Sequence, residues 1–148
     1  MRRFYIAAAL LAALTPAVAV ADTQVGDTAT YKYTKGTVVT TVKKEVLALE
    51  QRRGLFVRTV TTNADGSYVV EGAWVSPKMG SADETVLDCA RRGTLELVTV
   101  KAGEFQGCYT DSHFGTQAFF SREVPFDGLV ESRFRNGSIE LIELARGK

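Results

Sequence analysis

Strict alternation most constrains what this chain can become. Ala29, Tyr31 and Tyr33 exchange places with Thr30, Lys32 and Thr34, the period-2 pattern of a half-buried strand. Lys35-Gly36 makes a turn, and Thr37 to Glu50 is rich in Thr and Val, which suit a pleated surface. Arg52-Arg53-Gly54 ends that run and Leu55 to Thr62 is the next strand. Asn63-Ala64-Asp65-Gly66 is turn chemistry, so Ser67 to Val75 pairs back as a hairpin. Ser76 to Glu84, with Pro77 and Gly80, is the longest expected loop and has room for one helical turn. Strands then resume at about 85–90, 94–100, 104–110, 116–122, 129–135 and 138–145, and Asn136-Gly137 is the strongest hairpin signal in the chain. No segment after residue 21 sustains a 3.6-residue period. The pattern predicts an all-β domain without a major helix, an antiparallel meander of about 8–10 strands curled into a half-barrel or a sandwich.

Residues 1–21 stand outside that pattern. Arg2 and Arg3 precede an apolar run from Phe4 to Leu14, Thr15-Pro16 breaks it, and Ala19-Val20-Ala21 offers small residues at a cleavage spacing. This is the layout of a secretory signal peptide cut before Asp22. The apolar run is shorter than the roughly 20 residues of a membrane span. No cysteine lies near the cut for lipid attachment, and Phe4-Tyr5-Ile6 after the arginine pair fits a twin-arginine signal poorly. The expectation is one mature domain, residues 22–148, in the periplasm, or alternatively secreted. Cleavage turns a slight excess of bases, 18 against 17 acids, into a slight excess of acids. Such a balance leaves no electrostatic footprint for nucleic acid and no polybasic segment for a membrane surface.

Export governs the reading of Cys89 and Cys108, the only two cysteines. In an oxidising compartment such a pair is expected as a disulfide. The spacing is not that of a redox C-x-x-C motif, and a single histidine leaves a zinc site short of ligands. A plain meander would set the two cysteines two strands apart, about 9–10 Å, whereas a disulfide needs Cα atoms within roughly 7 Å. The segment 85–93 is therefore expected to be irregular or crossing, with Arg91-Arg92-Gly93 as its exit, pinned by the disulfide against strand 104–110.

Val98-Thr99-Val100-Lys101-Ala102-Gly103-Glu104-Phe105-Gln106-Gly107-Cys108-Tyr109 resembles a V-x-V-x-A-G-x-F-x-C/A-Y hairpin of poorly characterised exported bacterial β-domains. Glu123-Val124-Pro125-Phe126-Asp127-Gly128-Leu129-Val130 resembles the V-P-x-G-G-L-V step that follows it there. Several such domains look related to the lipoprotein-localisation carriers, whose sheet is an open half-barrel. The resemblance covers about residues 95–135. It departs at Lys101, where a proline is usual, and in the lack of long helices that plug the carriers' half-barrel. It implies a curved sheet with an apolar concave face, a binding role and no catalytic residue.

Within that hairpin Phe105 and Tyr109 fall on one face, and Gly107 between them leaves room for another chain segment to approach. Phe119-Phe120 sends one ring to each face. Phe105, Tyr109, Trp74 and Phe120 are the candidate ligand-facing residues. His113, within Asp111-Ser112-His113-Phe114-Gly115, lacks the converging partners of a catalytic triad. Asn63, Asp65 and Ser67 alternate as calcium ligands do, but an EF-hand would need Glu where Gly72 stands. Asp83-Glu84 reads as a solvated carboxylate pair. A membrane barrel fits badly, because the chain ends Leu144-Ala145-Arg146-Gly147-Lys148 without a terminal aromatic and several strands are short or evenly polar. The sequence thus points to a non-enzymatic envelope domain without cofactor or metal. It would bind an apolar ligand or a protein segment on a concave sheet face. The alternative is an interaction module that joins an envelope assembly through an edge strand.

Overall fold

The computed structural model describes residues 23–75, 94–112 and 115–148. The signal peptide, the 76–84 loop, the Cys89 segment and His113 lie outside them. The described chain forms nine strands: β1 (Thr28–Lys35), β2 (Val38–Glu50), β3 (Gly54–Thr62), β4 (Tyr68–Val75), β5 (Thr94–Val100), β6 (Gly103–Asp111), β7 (Gln117–Phe120), β8 (Leu129–Phe134) and β9 (Gly137–Ala145). All pair antiparallel in one open sheet of order β4-β3-β2-β1-β9-β8-β7-β6-β5. No helix occurs among the described residues. Of the two forms the alternation allows, the observed one is a single open sheet.

The sheet is two meanders joined at their termini. β1 to β4 step outward in one direction, β9 back to β5 in the other, and the β1–β9 pair is the seam. The sheet curves, because the β5–β6 turn reaches past β7 and β8 to β9. Ala102 N donates to Leu141 O at 3.3 Å and Lys101 N to Glu140 Oε1 at 3.2 Å. Ala29, Tyr31, Val46, Val57 and Leu141 form the buried face of β1, β2, β3 and β9, joined by Phe105, Phe119 and Val130.

Among the described residues, segment 121–128 packs onto this concave face. Its Val124, Pro125 and Phe126 are buried. Ser121 Oγ donates to Gln106 O at 2.7 Å, and Ser121 N to Gly128 O at 2.8 Å. Phe126 holds a left-handed φ of 68°, a strain of about 1–3 kcal/mol. Burying Val124 and Phe126 contributes roughly 1.5–3 kcal/mol each, so burial outweighs the strain. The approach expected over Gly107 is this segment's entry: a Cβ on Gly107 would lie 1.9 Å from Phe120 O.

One turn differs from its sequence reading. The β8–β9 hairpin exists, but Phe134 pairs with Gly137, so Arg135 and Asn136 form the turn. Gly137 already belongs to β9. It is glycine because a Cβ there would meet Thr34 O at 2.0 Å.

Candidate functional site

The four aromatic candidates occupy three separate places. Phe105 is buried in the core with Tyr109 packed against it. Phe120 lies on the other side of β6 and β7, against the fully buried Cys108. Trp74 is far along the sheet on β4, where its ring meets Phe56 at 5.2 Å between centroids, tilted by 51°. Of the four, only Phe105 and Tyr109 belong to the same core cluster. Cys89 lies outside the described residues.

The concave face at the seam is occupied by protein. Tyr31 stands at its centre, its hydroxyl donating to Leu129 O at 3.0 Å, with Lys44 Nζ 5.5 Å from its ring centroid. Burial, and then the Asp127 carboxylate, push the phenol's pKa above its ordinary value. A groove of about 350 Å³ lies on the opposite face, lined by Thr30, Thr41, Thr62, Lys43, Glu45, Arg58, Glu143 and Val60. Arg58 pairs with Glu45 across it. Hydroxyls and mixed charges make this a wet surface, unsuited to an apolar guest.

The unsatisfied surface is β4. All eight of its residues, Tyr-Val-Val-Glu-Gly-Ala-Trp-Val, are exposed, with Tyr68 at 69 %, Val69 at 55 % and Val70 at 53 %. It ends the sheet, pairing with β3 alone among the described strands. The hairpin turn sets its register. Asn63 N donates to Ser67 O at 2.8 Å, and Gly66 takes the left-handed φ of 84° that the turn requires. Asp65 Oδ1 accepts from Ser67 N at 2.9 Å and from Ser67 Oγ at 2.6 Å. These bonds hold the Asp65 carboxyl below its usual pKa. The carboxylate thus serves the hairpin.

Hydrogen-bonded and non-bonded pairs alternate along an antiparallel ladder. Counting from Asn63–Ser67, Val69, Glu71, Ala73 and Val75 turn their backbone groups toward β3. Tyr68, Val70, Gly72 and Trp74 therefore turn their N–H and C=O groups outward. On their face, the Phe56 ring lies over Gly72, where a Cβ would meet Phe56 Cζ at 2.8 Å. The Arg53 guanidinium sits 5.4 Å from the Trp74 centroid. The other face of the strand carries Val69, Ala73 and Val75, with Glu71 as the strand's one charge. The opposite edge is less uniform: Leu95 and Leu97 of β5 are exposed, but Val98 and Val100 pack on the core.

No protein-family model matches the chain, and no curated protein does. Among solved structures it is similar to MucB, seen in a crystal structure of MucB in complex with MucA(peri). The identity is 14 % over 82 % of this chain and 50 % of that one, with a TM-score of 0.49. The chain thus spans about half the length of that protein. A likeness of this degree assigns the chain no site and no partner.

Proposed function

We propose that the chain is an exported, non-enzymatic β-domain of the cell envelope that takes an extended protein segment as an added strand along β4. The observation that carries this reading is the outward row of backbone groups at Tyr68, Val70, Gly72 and Trp74, flanked by apolar side chains on both faces. Main-chain hydrogen bonds would supply affinity and the flanking side chains specificity. Long, apolar, unprotected edges are strongly disfavoured in monomers, because they pair with whatever strand they meet. Occupation of the concave face by Val124 and Phe126 supports the edge over an apolar ligand on that face.

Export by cleavage before Asp22 belongs to the same proposal, as does a Cys89–Cys108 disulfide. The full burial of Cys108 and the absence of free cysteines among the described residues support the disulfide. The mature mass, measured with and without reduction, tests both.

The edge is tested by placing a photo-crosslinking residue at position 70 of the full chain in its own cells, with the exposed position 32, central in the sheet on β1, as control. A discrete adduct from position 70 alone, lost when Tyr68→Pro removes an outward N–H at an exposed position, is the expected result. Equal adducts from both positions, or none, would refute the reading.

A further inference from the structure

We infer that the strand added to β4 is β4 of a second copy of this chain, paired antiparallel about a two-fold axis through Gly72. The inference rests on the edge-strand reading and names its occupant. A two-fold axis perpendicular to the sheet keeps each face continuous across the new boundary, so opposed residues must have positions of equal parity. Parity also brings outward-turned groups together, since Val70, Gly72 and Trp74 belong to the same set.

Two such registers use nearly the whole strand. The one centred on Glu71 sets two carboxylates directly opposite each other, which destabilises a ladder. The one centred on Gly72 sets Glu71 opposite Ala73 and removes that opposition. It also sets Val70 opposite Trp74, twice by symmetry, and Val69 opposite Val75, twice. Aromatic–β-branched and β-branched pairs are among the favourable cross-strand contacts. Gly72 then opposes Gly72 at the axis, where the backbones meet without side chains between them. The Phe56 ring already occupies the space over that glycine, so each copy brings an aromatic to roof the junction. In one register, therefore, β4 pairs with its own copy without setting like charges opposite each other. An edge of this length buries far less than the roughly 1,600 Å² of a standard interface, so the dimer is weak and dependent on concentration.

The test uses the mature full domain. Sedimentation up to about 1 mM protein should show a monomer–dimer equilibrium. Val70→Lys should weaken it at least about tenfold, because the symmetry repeats the loss at both Val70–Trp74 contacts. Val70→Pro, which removes an outward N–H and leaves the β3 ladder intact, is the second disrupting variant. Register is read by oxidising mixtures of singly substituted proteins. Val69→Cys with Val75→Cys should cross-link; Val69→Cys with Ala73→Cys reports the Glu71-centred register. Cross-linking in the second mixture, or a dimer indifferent to both Val70 variants, overturns the inference. A monomer at the highest concentration overturns it too. In that case, an adduct from position 70 with the mass of a different protein leaves the edge-strand reading standing, and no adduct removes both.

Discussion

Replacing Asp27 by Ala should be among the most damaging single changes in this domain. Asp27 is fully buried. Its Oδ2 accepts from Gln24 N at 2.8 Å and its Oδ1 from Gly147 N at 2.8 Å. Arg146 Nη1 lies 3.2 Å from Oδ2, and Gln24 Nε2 donates to Gly147 O at 2.7 Å beside it. One carboxylate therefore ties the turn before β1 to the segment after β9. Each hydrogen bond to a charged group contributes about 1.5–3 kcal/mol. The two backbone donors regain some water on truncation, and the Arg146 pair, part-exposed, adds little. The expected loss is about 3 kcal/mol, a large share of a typical 5–15 kcal/mol. Urea unfolding should show a lower midpoint at unchanged slope, and melting should fall by about 10 °C. Asp27→Asn keeps one acceptor oxygen but turns its amide N–H groups toward a backbone N–H donor, so it should cost nearly as much. A loss under about 1 kcal/mol for Asp27→Ala would refute the argument that this carboxylate clamps the chain ends.

Gly107→Ala should cost about 3 kcal/mol, because its methyl group would force the backbone at Phe120 away and break the Ser121–Gln106 bond. Chemical denaturation measures it, and a neutral result would mean that segment 121–128 can shift freely. The Tyr31 contribution to stability should be constant in pH below about 10, the ordinary value for tyrosine, and fall above it. The Tyr31 phenol is held neutral in the fold while the unfolded chain ionises, so protons are retained by the native state. Tyr31→Phe should cost about 1 kcal/mol at neutral pH and flatten the alkaline fall; unfolding midpoints between pH 8 and 11 decide. Reduction should lower stability by about 3 kcal/mol, the chain-entropy value for a loop of about 20 residues, and Cys89→Ser should reproduce that loss.

What the sequence made legible is what local chemistry controls. Alternation and turn residues placed β1 to β4 and β5 to β9 within a residue or two, because each strand's faces and ends are written in its own residues. The split of Phe119 into the core and Phe120 onto the other side follows from pleating alone. Gly107 was legible as a place of close approach, since a glycine between two aromatics on one face has few other uses. Gly137 was not, because the atom that excludes a side chain there, Thr34 O, belongs to a strand a hundred residues earlier. Asp27 carries no motif; its partners at Gly147 and Arg146 come from the far end of the chain. That β4 is an edge is a property of strand order, which the alternating pattern of one strand cannot encode. Residue type alone marks the aromatic candidates; facing sets Phe120 apart and strand order sets Trp74 apart.

The β1–β9 seam has a consequence for the order of folding. The first strand finds its second neighbour only when the last is available, so the contacts at the middle of the sheet span the greatest distances along the chain. Such pairings carry a large loop-closure cost and slow the search for the native state. Each meander can form from its own hairpins, but the two halves lock together only when Leu141 comes to rest beside Tyr31. A chain that threads N-terminus first through a membrane would keep that lock open until its final strand emerges. Deleting β9 would do more than shorten the sheet: it would divide one domain into two hairpin arrays, each with a fresh unpaired edge.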